Sequence, residues 1–183
     1  MATKAEVSEA IVSPTGIIKF PAVNDPEINE QGKQVWSCSL VLDPKKDAGF
    51  LKMLEDEAKK VDKNAAVPHK PDIKKENGEK IETGMRLVSF KSYFKPKLID
   101  AKMKEVDVPV TWGSKVRIGF TIVPYDLKGK KGITKYFQVV QIIDLNDANR
   151  DPRSMGFDVV NDGWDSENIF ASTSANDLPW EKK

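Results

Sequence analysis

VDVPVTWGSKVRIGFTIVPYDLKGKKG, residues 106–132, decides the fold of this chain. Val116, Ile118, Phe120 and Ile122 alternate with Lys115, Arg117, Gly119 and Thr121. A period of two places one set of side chains in a core and the other in water, so 114–125 reads as a half-buried strand. Gly113 and Ser114 lead into it, and a basic turn, Asp126–Gly132, leads out. ITKYFQVVQIIDL (133–145) then forms the last strand.

Upstream, the same alternation recurs. In QVWSCSLVL (34–42), Trp36, Cys38, Leu40 and Leu42 share a face, which marks Trp36 as core. In GMRLVSFKSYFK (84–95), Arg86, Val88, Phe90, Ser92 and Phe94 share one parity, the core side; Met85, Leu87, Ser89, Lys91, Tyr93 and Lys95 share the other. Residues 5–20 read as a long first strand broken at Pro14-Thr15-Gly16, and 21–33 as a loop rich in Pro, Asn, Asp and Gly. A helix is expected from Pro44 to Val61, capped by Asp43, with Phe50, Leu51, Leu54, Ala58 and Val61 on its apolar face. Residues 62–83 lose periodicity and read as a mobile surface loop. A short ribbon fits 96–110, turning near Asp100-Ala101-Lys102. The whole is mainly β, and an oligonucleotide-binding (OB) barrel of five Greek-key strands, with one main helix and extra hairpins or loops, accommodates it. Such barrels usually carry the helix between strands three and four; counting the bent first strand as two reconciles the order.

Charge divides the chain. Residues 1–143 hold 25 Lys+Arg against 19 Asp+Glu, a net of +6; residues 144–183 hold 4 against 9, a net of −5. The formal total of +1 therefore hides a basic body and an acidic tail. A basic body attracts polyanions, and a tethered acidic strip competes for the same surface. Two domains are expected: a barrel at 1–145 and a flexible acidic tail at 146–183, whose single aromatics stand among small polar residues without an apolar face. One cysteine, Cys38, excludes an internal disulfide and fits a reducing compartment. One His and one Cys leave no zinc site of the His/Cys type. No apolar run reaches the ~20 residues of a membrane span, and no signal peptide opens the chain, so a cytoplasmic protein is expected.

Catalytic templates fail. No Gly-rich phosphate loop ends in Gly-Lys-Ser/Thr. A hydrolase triad would have to recruit His69 from the aperiodic segment. Asp144, Asp147 and Asp151 offer a nuclease-like acid cluster, but such acids usually mark a solvated strand end. No enzyme, no cofactor and no metal is expected.

In order along the chain, several motifs resemble those of the bacteriophage single-stranded-DNA-binding proteins of the T7-like type. Phe20-Pro21 with Asn24-Asp25-Pro26 and Gly32 resembles that family's first loop, and SLVLDPKKD (39–47) its strand-to-helix junction. The stretch 106–132 running into VVQIIDL (139–145) carries most of the likeness. Asp177-Leu178-Pro179-Trp180 resembles the acidic, aromatic tip of cellular single-strand binders, although Glu181-Lys182-Lys183 departs from the acidic or aromatic ending of the phage family. The resemblance implies an OB-fold body, largely sequence-independent binding of single-stranded DNA in replication, recombination and repair, and host-cytoplasm residence. It also implies replication partners (polymerase, helicase or recombination factors) engaged by the tail, and dimers in many members.

Binding unpaired strands requires cations along the phosphates and flat rings against the bases. Lys91, Tyr93 and Lys95 supply both on one strand face; Lys115 and Arg117 lie opposite an apolar face and are expected in the same groove. The candidate set for nucleic-acid contact is Phe20, Lys33, Lys91, Tyr93, Phe94, Lys95, Lys97, Trp112, Lys115, Arg117, Tyr125, Lys135 and Tyr136. Phe20 stays open between stacking platform and barrel plug, Trp112 between stacking and core, and the pattern does not decide which of Tyr136 and Phe137 is exposed. Lys128, Lys130 and Lys131 suit weak phosphate contact or simply a soluble turn. The candidate partner-binding residues are Trp164, Phe170, Asp177, Leu178, Pro179 and Trp180. The alternative class is a β-barrel protein-interaction module without a nucleic-acid role.

Overall fold

The computed structural model describes residues 7–146. Its elements are β1 (Ile11–Val12), β2 (Gly16–Ile28), β3 (Gln34–Leu42), α1 (Ala48–Val61), β4 (Lys70–Glu76), β5 (Glu79–Ser92), β6 (Lys97–Ile99), β7 (Lys115–Leu127) and β8 (Lys130–Asp144). Five of the strands close a ring. β2 pairs antiparallel with β3 and β7, β3 with β5, and β7 with β8, while β5 meets β8 in parallel. This is the OB barrel that the alternating pattern called for.

The alternation predicts the core correctly where it is cleanest. Val116, Ile118 and Phe120 are fully buried and Ile122 nearly so. Phe120 takes Phe90 edge-on at 5.0 Å and Phe50 of α1 at 6.1 Å. Such edge contacts add to the roughly 1.5–3 kcal/mol that burial of each large apolar side chain supplies. Trp36 is core as expected.

Four expectations change. First, β2 runs on through 21–28, where a loop was expected. Its register with β3 slips between Lys19 and Ala22 and again before Glu27, so the prolines sit at irregularities where a missing N–H costs little. Asn24 stands in for backbone: its amide donates to Val108 O at 2.8 Å and its carbonyl accepts from Val110 N at 2.9 Å. Second, the helix begins at Ala48, not Pro44. Asp43 instead closes a turn, its carboxylate accepting from Lys45 N at 2.8 Å and its carbonyl from Asp47 N at 2.8 Å. Third, the supposed mobile loop at 62–83 contains β4 and the start of β5. Asn77 and Gly78 adopt φ of 51° and 86°, the positive pair that a tight hairpin turn requires. His69 is held ahead of β4, its Nδ1 accepting from Arg86 and its Nε2 2.8 Å from the Glu55 carboxylate. Fourth, α1 follows the second barrel strand. β1 is only a two-residue strand on β7 outside the ring, so counting it does not restore the usual helix position.

The ribbon at 96–110 appears as expected, with β6 lying parallel to β8 and its turn at Asp100–Met103. No helix among the described residues is long and apolar enough to cross a membrane. The tail candidates Trp164, Phe170, Asp177, Leu178, Pro179 and Trp180 lie outside the described residues, as do Asp147 and Asp151.

Candidate nucleic-acid interface

Strand register assembles the site. Ala22 pairs with Ser37, Ser37 with Lys91, Lys91 with Tyr136 and Tyr136 with Thr121. One row thus crosses all five barrel strands on the outer face. Two residues along, about 7 Å away, Lys19, Ser39 and Ser89 form a second row. Ser39 and Ser89 hydroxyls bond each other at 2.9 Å. Small side chains in the middle of both rows leave a shallow floor, and rings stand at its two sides.

On the β5–β8 side, Tyr93 and Tyr136 stand 5.9 Å apart with planes tilted 40°. Lys91 Nζ lies 5.8 Å from the Tyr136 ring centre, within reach of a cation–π contact. Burial, and after it the neighbouring Tyr93, push the Tyr136 hydroxyl above its usual pKa, so it remains a neutral donor. Phe94, Lys95, Lys97, Gln138 and Val139 complete a groove of about 640 Å³ around the two tyrosines. Phe94 is 82% exposed, not core as its parity implied. The strand ends at Ser92, whose hydroxyl accepts the Phe94 N–H, so alternation no longer governs residue 94. Phe137 is fully buried, which leaves Tyr136 as the outward ring.

On the β2 side, Trp112 is 59% exposed and Phe20 74%, so neither plugs the barrel. Phe20 holds φ of 51°, uncommon for a bulky residue and coincident with the β2 register slip. Lys19 Nζ lies 5.9 Å from the Trp112 ring and bonds the buried Asp72 carboxylate at 2.7 Å. Asp72 also accepts from Thr83 at 2.9 Å, so this pair ties the β4–β5 hairpin across the face. Lys19, Trp112 and Asp72 form a connection that sequence reasoning missed for Lys19; its parity with Ile17, one step from the buried Ile18, was the available signal.

The remaining candidates disperse. Arg117 is exposed on the same outer face but pairs with Gln141, beyond the Tyr136 row. Its Nε donates to Ser13 O at 3.5 Å. Lys115 sits at the start of β7, 3.5 Å from Asp144. Lys33 lies in the β2–β3 turn, its N–H given to Asn29. Tyr125, 36% exposed, pairs with Gly132 four residues along β8 from Tyr136. Lys135 is a correction. It shares the inward parity of Ile133 and Phe137, is 7% exposed, and donates to Pro68 O at 2.8 Å. Burial pushes its ammonium down to about 8, and it does not stand with the surface cations. Cys38 is likewise buried, with its thiol raised out of reactive range. Among the described residues no group of three or more His, Cys, Asp or Glu side chains gathers to hold a metal ion.

No family model and no curated protein matches the sequence. Solved structures do match. Gp2.5, a single-stranded-DNA-binding protein encoded by bacteriophage T7, superposes with a TM-score of 0.58 over 89% of this chain and 100% of its own, at 18% identity. This chain has the fold of phage single-stranded-DNA-binding proteins. The corresponding protein of bacteriophage Enc34, solved in complex with single-stranded DNA, matches with a TM-score of 0.56 at 17% identity over 74% of this chain and 86% of its own. At these identities the likeness is one of fold, and the chemistry has to come from the residues above.

Proposed function

We propose that this chain binds single-stranded DNA, largely without regard to sequence, as a non-enzymatic protein of phage DNA replication and recombination. The observation that carries the reading is the Tyr93–Tyr136 pair beside Lys91 on the open face of an OB barrel. Two outward rings in one groove, Tyr93 exposed and Tyr136 half-buried, suit stacking on successive bases, which tolerates sequence because every base has a π-face. Lys91, Lys95 and Lys97 border the rings and suit the phosphates between. The serine floor admits a backbone close to the sheet, and Trp112 and Phe20 offer further rings at its far side. The solved Enc34 complex with single-stranded DNA supports the same class of ligand for this fold.

The acidic residues 146–183 act in this reading as an intramolecular competitor. They occupy the basic face when DNA is absent, and DNA releases them to recruit polymerase, helicase or recombination partners through the Trp164, Phe170 and Asp177–Trp180 region. Deleting 146–183 is expected to strengthen oligo-dT binding at low salt, measured by fluorescence anisotropy. Unchanged or weaker affinity would remove the competitor from the account.

A further inference from the structure

The β4–β5 hairpin beyond Asp72 is exposed on both faces: every residue from Ile73 to Gly84 is open to solvent. Its register is unbroken there, with Ile73 opposite Glu82, Lys74 opposite Ile81, Lys75 opposite Lys80 and Glu76 opposite Glu79. Directly opposite residues share a face of an antiparallel pair, and like charges so placed repel. Two successive rungs are therefore each unfavourable, and they are of opposite sign. Exchanging residues 79 and 80 would pair each lysine with a glutamate; the sequence does the reverse. The result is a ribbon with two distinct faces. One carries Lys75, Lys80 and the half-exposed Ile73; the other carries Glu76, Glu79 and the half-exposed Ile81. Only Lys74, 3.7 Å from Glu76, crosses the division on the acidic side, and Glu82 on the basic side.

We propose that this ribbon is a contact between copies of the chain, the Lys75/Lys80 face of one molecule seated on the Glu76/Glu79 face of the next. A second copy is the occupant because its ribbon offers each face opposite charges at the same spacing, and an isoleucine to meet an isoleucine. Both repulsive rungs are relieved in one contact. The two surfaces differ, so the contact is heterologous: it leaves a free face at each end and propagates along a line instead of closing. Resting on the single-stranded-DNA reading, the consequence is cooperative loading, since neighbours on one strand meet at high effective concentration.

The test uses the full chain and two charge-reversed variants, K75E/K80E and E76K/E79K, with folding checked by circular dichroism. Affinity per site is measured at low salt on oligo-dT long enough for one molecule and on poly-dT. The wild type is expected to bind the long lattice about tenfold more tightly per site, with the ratio shrinking as salt rises. Each variant alone should bring the ratio near one without changing one-site affinity. An equal mixture should restore it, because a ribbon net acidic on both faces then alternates with one net basic on both. Sedimentation without DNA, at high concentration and low salt, repeats the comparison independently of any nucleic acid. Self-association should be present in the wild type, lost in each variant and regained in the mixture, so failure of DNA binding and failure of the contact read separately. A wild-type ratio of one, variants that keep the wild-type ratio, or a mixture that restores nothing overturns the proposal. So does loss of one-site affinity in K75E/K80E, which would give the lysine face to DNA.

Discussion

Replacing Lys135 by Met tests whether that lysine is a buried structural charge. The residue is 7% exposed, its ammonium donates to Pro68 O at 2.8 Å, and burial pushes that ammonium down to about 8 from an ordinary 10.5. At about 1.4 kcal/mol per pH unit, holding it charged at neutral pH costs the fold about 3 kcal/mol. Met keeps the length and removes the charge, but gives up the hydrogen bond to Pro68, worth about 1 kcal/mol. A net gain of about 2 kcal/mol follows, equivalent to a Tm rise of about 4–8 °C for a chain of this size. The sign of the pH dependence follows from the lowered value. Below about pH 8 both folded and unfolded chains hold the proton, and the full cost is present. Between about 8 and 10.5 the folded chain has released it while the unfolded chain has not, so stability climbs with pH. Urea denaturation of wild type and Lys135→Met from pH 7 to 10.5 reads this directly, because the titrations they share cancel in the difference. The gap should be largest at pH 7 and shrink toward pH 10.5, with the two proteins binding oligo-dT equally at pH 7. A variant less stable than wild type at pH 7, with a gap that ignores pH, refutes the reasoning.

Two further perturbations separate scaffold from site. A Cβ at Gly16 would stand 2.7 Å from Leu40 Cγ and from Val41 O, so Gly16→Ala should cost about 1–3 kcal/mol as a lowered denaturation midpoint; an unchanged midpoint would mean that β2 and β3 are not packed this closely. Tyr93→Ala and Tyr136→Ala should each weaken oligo-dT binding by about 5- to 100-fold, the loss of one stacked base, with little change in urea midpoint; wild-type affinity in both would empty the groove of its role.

What the sequence disclosed depended on how local each determinant is. Alternation at 114–122 gave a strand and its buried face because burial on one side is the pattern itself. The same logic placed Trp36 in the core and Lys91 outside. It failed at Phe94, since parity holds only while the ladder lasts and β5 ends at Ser92. It failed across 70–83 because a ribbon wet on both faces has no apolar alternation to read, although Asn77-Gly78 announced its turn. The signal for Lys135 was present in Ile133-Thr134-Lys135-Tyr136-Phe137, where it falls on the inward side, but a lysine invites an outward reading. Meeting of residues far apart in the chain was hidden altogether. Lys19 over Trp112, and Tyr93 against Tyr136, are products of barrel closure, which no single stretch encodes. Arg117 shows the converse: it shares a face with Lys91 yet stands rungs away from it.

The claim on which the account rests is that the ring-and-lysine face grips unpaired DNA. Titrating the protein with oligo-dT while following intrinsic Tyr and Trp fluorescence, at salt concentrations from about 20 to 200 mM, tests it most directly. Quenching that saturates, with log affinity falling linearly against log salt by about 0.7 for each phosphate engaged, is the predicted result. Lys91→Ala should lower that slope by about one contact. An absence of quenching and of binding at the lowest salt would contradict it.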